Sequence, residues 1–284
     1  MNNTKNKRIF LYLPLLLCIV YIAWWAAINF LGWPNRDNYS DSYSLVALLA
    51  GVAGLMGAKQ WGLFKSRLGA TIGYISLGLI FQFLGHFIYA LYFRIGHVEL
   101  AYPSVGDIPF LLTGVAYILA LYNLLKLLVV KGSIFRPVFV LITGITCTAI
   151  LSYLVYVSFL KLGLHDERGS IYSALNVAYP VVQAVYFLLG LVALLQAKRM
   201  AGGRMFKAVL VLLVALIIQY VAEFSFLYQS YHNTWQPAGT NDLAYVIAYG
   251  LMAFAILMIE NVRTGISSPT NGSKEMSSTR KGTS

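Results

Sequence analysis

Eight stretches of the chain stay apolar for about twenty residues or more, the length of α-helix that crosses the hydrocarbon core of a bilayer. They lie near residues 9–32, 42–62, 69–94, 105–129, 136–160, 171–196, 206–230 and 241–261. The solvent for such a chain is lipid, and a span must satisfy its own backbone hydrogen bonds there, which a helix does. The expected fold is therefore an all-α integral membrane protein of about eight transmembrane helices. Only 11% of the residues are charged, against about 25% in soluble domains, too few to cover a water-soluble core. The aromatic content of 14% suits spans anchored by Trp and Tyr at the interfaces.

The formal charge of +11 does not point to nucleic acid, because the basic residues form no patch or run and fall in short groups between apolar segments. Those groups set an orientation. With the N-terminus inside, Lys5, Lys7, Arg8, Lys59, Lys65, Arg67, Lys126, Lys131, Arg136, Lys198, Arg199, Arg204, Lys207, Arg263, Lys274, Arg280 and Lys281 all face the cytoplasm. Arg36, Arg94, Lys161 and Arg168 fall on the other side, with Asp37, Asp41, Glu99, Asp166 and Glu167. The positive-inside rule then places both termini in the cytoplasm, in a plasma membrane. The run from Ile9 to Leu31 is too long for a signal-peptide core and reads as an uncleaved anchor. Cys18 and Cys147 lie within apolar segments, without metal-ligand spacing, and read as small buried hydrophobes.

The halves of the chain resemble each other. Gln82-Phe83-Leu84-Gly85-His86 in the third span matches Gln219-Tyr220-Val221-Ala222-Glu223 in the seventh, each with a Gln and an ionisable residue at i and i+4 on one helix face. Aromatic residues, a loop with Pro103 or Pro237, and then Ser104-x-x-Asp107 or Thr240-Asn241-Asp242 follow. This predicts two parallel four-helix repeats, 9–130 and 136–262, between a cytoplasmic segment 1–8 and a disordered cytoplasmic tail 263–284.

Ionisable groups at membrane depth are costly and mark functional sites. Glu223 and His86 occupy matching depths, so packing about a twofold axis brings them within reach of a charge-assisted hydrogen bond, with Gln82 and Gln219 one turn deeper. Gln and His also serve as interhelical glue. Asp107 and Asp242 read in two ways: as helix caps, with Ser104 and Thr240 or Asn241 at the N-cap, or as acids lining an outward vestibule that attracts a cation or amine. Pro180, after Tyr179, interrupts the sixth span, as packing or as a cavity wall. Gly51, Gly54, Gly57, Gly69 and Gly73 read as helix contacts. The ligand-binding set expected from sequence is thus His86, Glu223, Asp107, Asp242, Gln82 and Gln219, with no catalytic residue, metal ligand or cofactor assigned.

No Walker A, Gly-x-Ser-x-Gly or His-Glu-x-x-His signature occurs. The run Tyr102-Pro103-Ser104-Val105-Gly106-Asp107, with Tyr179-Pro180 in the second half, resembles the multi-pass N-terminal sensory regions of bacterial and archaeal histidine kinases and diguanylate cyclases. Those regions carry a Pro-Ser-x-x-Asp element opening a helix. In many, an acidic residue follows the Tyr-Pro, where this chain has Val181, Val182 and Gln183. The resemblance extends over residues 40–262 and includes no kinase or cyclase domain. It implies a sensory module whose output rests with a separate signalling partner. The expected function is a non-enzymatic membrane sensor binding a small-molecule or lipid ligand, without nucleic acid. The alternatives are a small-solute or proton-coupled transporter and a metal-dependent intramembrane lipid hydrolase.

Overall fold

A computed structural model describes residues 2–97, 104–128, 146, 153, 170–197, 204–232 and 234–267. The regular structure among them is helical throughout: α1 (Asn2–Phe30), α2 (Arg36–Ser42), α3 (Leu45–Gln60), α4 (Arg67–Gly96), α5 (Asp107–Leu128), α6 (Ser170–Ala197), α7 (Arg204–Tyr231) and α8 (Thr240–Ser267). Among the described residues, six segments are long and apolar enough to cross a membrane: Tyr12–Phe30, Arg36–Gln60, Arg67–Gly96, Asp107–Leu128, Met205–Ser230 and Thr240–Asn261. Two of the eight expected spans are not among these six. The expected span 136–160 lies almost wholly outside the described residues. The expected span 171–196 falls on α6, whose described apolar stretch, Val181–Leu194, is shorter than a span. α8 runs on to Ser267, past residue 263 where the tail was expected to start, and the rest of that expected tail lies outside the described residues.

The helices pack in cyclic order. α3 contacts α4, α4 contacts α5, and the series continues through α6, α7 and α8 back to α3, while α1 lies across α8 and α3. The outward faces are apolar: Ile19 and Leu16 on α1, Val181 on α6 and Val221 on α7 are all exposed. Lipid solvates such surfaces as well as a protein core does, so exposure there carries no penalty. The polar side chains are turned inward, and Gln82, Gln219, Gln183, Asp107, Asp242 and Glu260 are all buried. The largest fully buried side chains include Tyr39, Tyr117, Tyr186 and Tyr249.

The second expected span differs in one informative way. It starts earlier, at Arg36, and consists of α2 and α3 joined through Tyr43 and Ser44. The Tyr43 and Val46 amides donate to the Tyr39 and Tyr43 carbonyls at 3.0 and 3.1 Å, so the chain stays hydrogen-bonded through the joint. Polar residues from Arg36 to Asp41 conceal this helix from a hydropathy reading, yet it delivers Ser40 and Tyr43 to the interior.

Small residues set the helix spacing, partly where the sequence predicted. Gly54 faces Ser76 of α4 and Ile256 of α8, and Gly57 faces Glu260 of α8. Gly69 and Gly73 instead face the turn over Leu63–Lys65, not another span. On α4, Gly78 leaves room for the Tyr117 ring, and a Cβ at Gly85 would stand 2.7 Å from the Phe110 ring. A Gly85→Val variant overpacks this contact and is expected to lose about 1–3 kcal/mol of stability, read as an earlier unfolding midpoint in detergent. An unchanged midpoint would show that α4 and α5 can separate freely.

Candidate functional site

At the end of the bundle where α4 and α7 stop, α5 and α8 begin, and each opens on a buried aspartate. Asp107 Oδ2 accepts from the Ser104 amide at 2.6 Å, while Ser104 Oγ accepts from the Gly106 amide at 3.1 Å. This is the carboxylate half of the expected capping box, with the hydroxyl half moved by one residue. Asp107 also reaches beyond its helix. Its Oδ1 accepts from Tyr89 of α4 at 2.9 Å and from Tyr179 of α6 at 2.7 Å. Asp242 behaves in parallel: Oδ2 accepts from the Ala238 amide at 2.9 Å and from Ser40 Oγ of α2 at 2.8 Å. The expected cap by Thr240 or Asn241 is not found. Both lie inside the first turn of α8, and the Asn241 side-chain amide has no hydrogen-bond partner among the described residues. Asp242 caps from within because the left-handed Ala238, with φ 54°, aims its own amide back at the helix.

Glu223 is the junction of three helices. Its Oε1 accepts from Gln82 Nε2 of α4 at 2.8 Å and from Gln219 Nε2, one turn back on α7, at 2.7 Å. Its Oε2 accepts from the Tyr186 hydroxyl of α6 at 2.9 Å. The i and i+4 spacing of Gln219 and Glu223 therefore does what the sequence suggested, and Gln82 joins them from the matching helix. Gln219 Oε1 in turn accepts from Tyr117 of α5 at 2.9 Å, and the same hydroxyl touches Met252 Sδ of α8 at 3.6 Å. Tyr117→Phe removes one buried interhelical bond and leaves the ring in place. Its expected cost is about 1 kcal/mol, measured as a shift in unfolding midpoint, and no shift would mean that Gln219 finds another donor.

His86 does not bond to Glu223, as the sequence had suggested. Its ring nitrogens lie 3.3 Å from the hydroxyl of Tyr43, and Nε2 lies 3.3 Å from that of Tyr249. Tyr249 also donates to Gln82 Oε1 at 3.2 Å, so a tyrosine and a glutamine intervene between the two ionisable groups. The imidazole is wedged among aromatic rings, with Tyr43 and Phe110 centroids 5.0 Å away and Tyr245 at 5.4 Å. Tyr43, Tyr186, Tyr245 and Tyr249 were not foreseen as site residues. As tyrosines in aromatic-rich spans they are indistinguishable in sequence from interfacial anchors, and only their inward facing reveals them.

All but one of the six expected site residues, His86, Glu223, Asp107, Asp242 and Gln82, line a single cavity of about 120 Å³, and Gln219 lies behind Glu223. The lining comes from α2, α4, α5, α6, α7 and α8, together with Tyr43 and the loop before α8. That loop is pinned from α1 and α2: Trp25 Nε1 donates to Gly239 O at 2.9 Å, Asn29 Nδ2 to Ala238 O at 3.0 Å and Arg36 to Pro237 O at 3.4 Å. Trp235 of the same loop packs edge-on against Phe226 and closes one side. The cavity is therefore preformed and bounded by helices that the chain itself holds in place. Although His86 and five carboxylates line it, no group of three His, Cys, Asp or Glu among the described residues stands close enough to hold a metal ion. No known family, curated protein or solved structure matches this chain.

Proposed function

We propose that the chain is a non-enzymatic, multi-pass membrane sensor or receptor-like module that binds a small or lipidic ligand in this cavity. The observation that carries the reading is the cavity's lining. Six helices contribute side chains to one space, so an occupant that prefers one arrangement of them shifts the packing of the whole bundle. The interior supports binding over passage. The polar thread from Glu223 through Gln219 ends at Tyr117 and Met252, and Leu79, Leu121, Leu124 and Leu213 fill the core deeper along the same helices.

The cavity end faces outward and both termini face the cytoplasm in this reading, and the distribution of Lys and Arg supports that orientation in a plasma membrane. Two parallel repeats would bring α3, α4 and α5 into the same cyclic sequence as α6, α7 and α8, and that packing order supports the repeat. So does the shared habit of Asp107 and Asp242, each accepting the amide just ahead of its own helix. The likeness of the Pro103 to Asp107 run to kinase and cyclase sensory regions supports a signal passed to a separate partner.

Native mass spectrometry of the protein purified in mild detergent tests this reading. The expected result is a discrete small-molecule adduct that disappears when Glu223→Gln and Asp107→Asn are combined. An adduct and a ligand response that both survive the double substitution would remove the cavity from the function. Solute movement down a gradient in proteoliposomes, sensitive to Glu223→Gln, would replace the sensor with a transporter.

A further inference from the structure

We propose that the occupant of the cavity is a small protonated amine, its ammonium group held by Asp242 and Tyr245 and its carbon skeleton by the aromatic walls. This rests on the reading that the cavity is a ligand site, and it names the ligand's chemistry.

The first argument is charge. In a chain of net charge +11, the cavity is lined by Asp37, Asp41, Asp107, Glu223 and Asp242, and by no Lys or Arg. Two arginines bond to lining residues and both are engaged: Arg94 donates to Asp41 at 2.5 Å and to Asn38 at 2.7 Å, and Arg36 to Pro237 O at 3.4 Å and Asn29 Oδ1 at 3.2 Å. Asp107, Glu223 and Asp242 receive hydrogen bonds only from amides and hydroxyls in the described contacts. Such neutral donors solvate a carboxylate but do not cancel its charge. An anion or an additional carboxylate in this space would be repelled, and a cation would be drawn in.

The second argument is unused hydrogen-bonding capacity. Asp242 is 2% exposed and, among the described residues, takes both of its hydrogen bonds on Oδ2 and none on Oδ1. Tyr245 lies one helical turn along α8 and is 4% exposed. Its ring is stacked between Tyr43 and Tyr249, at 6.1 and 5.9 Å, and its hydroxyl makes no hydrogen bond among the described residues. Both groups line the cavity, and buried polar groups ordinarily find a partner. An ammonium ion supplies the N–H donors that a carboxylate oxygen and a phenol oxygen accept.

The third argument is shape. The walls present the aromatic side chains of Phe110, Tyr179, Phe226 and Trp235, whose faces attract cations. The volume of about 120 Å³ is about eight times the least that holds one water, room for an amine of a few heavy atoms.

Three probes with one carbon skeleton separate the possibilities: isopentylammonium, neutral isopentanol and anionic isovalerate, each titrated against the detergent-purified protein by calorimetry. Isopentylammonium is expected to bind about tenfold or more tightly than isopentanol, and isovalerate not to bind. Asp242→Asn should erase the preference for the ammonium while leaving isopentanol unchanged. Because Asp242 also caps α8, Tyr245→Phe serves as a second variant that breaks no existing hydrogen bond and should weaken ammonium binding alone by about threefold or more. Isopentanol or isovalerate binding as tightly as the ammonium would overturn the amine while keeping the cavity as a ligand site. Failure of all three probes at saturating concentration would overturn both.

Discussion

Glu223→Ala is expected to lower stability by about 3 kcal/mol. The carboxylate accepts from Gln82, Gln219 and Tyr186, which come from α4, α7 and α6. Gln82 and Tyr186 are each 1% exposed and Gln219 is fully buried, so none can turn to water when the acceptor is lost. Each stranded donor costs about 1–3 kcal/mol in a soluble core. Membrane interiors soften that cost, because freed groups find other partners and average interhelical bonds are worth about 0.6 kcal/mol. The estimate lies between those limits. Glu223→Gln keeps the volume and one acceptor oxygen, and should lose about half as much. The measurement is the unfolding midpoint in mixed micelles as a denaturing detergent is added. If the alanine variant unfolded with wild-type behaviour, the cluster would contribute no net stability at the meeting of the three helices.

What the sequence revealed follows the range of each interaction. A span announces itself through twenty consecutive apolar residues, a local property, and the helices at 9–32, 69–94, 105–129, 206–230 and 241–261 were legible for that reason. α2 was not, because its polar residues are tolerated only where Ser40 meets Asp242 and Asp41 meets Arg94, contacts spanning most of the chain or the neighbouring helix. The candidate site divides in the same way. The i and i+4 pairing of Gln219 with Glu223 and the capping of α5 by Asp107 involve residues a turn apart, and both were readable. The partner of His86 was not: Tyr249 is 163 residues away and belongs to one of 20 tyrosines. Periodicity could place Glu223 and His86 at one depth, but only the packed helices show that Gln82 and Tyr249 stand between them.

Asp107→Ala is expected to cost about 2–3 kcal/mol. Two effects combine there. The cap at the start of α5 loses its acceptor for the Ser104 amide, worth about 1 kcal/mol. The hydroxyls of Tyr89 and Tyr179 lose the acceptor that ties α4 and α6 to α5, worth about 1–2 kcal/mol together. The Tyr179 bond has a further consequence. Pro180 follows it and lacks an amide proton, so α6 is missing one intrahelical hydrogen bond at this level. The bond to Asp107 therefore braces α6 where its own ladder is interrupted. A double-mutant cycle isolates the brace: Tyr179→Phe alone should cost about 1 kcal/mol, and adding it to Asp107→Ala should cost less, because only the longer bond of the Tyr179 hydroxyl to the Asp107 carbonyl, at 3.3 Å, is left to lose. Full additivity would mean that the two residues stabilise the bundle independently. Coupling would show that the Tyr179 hydroxyl and the Asp107 carboxylate act as one contact between α6 and α5.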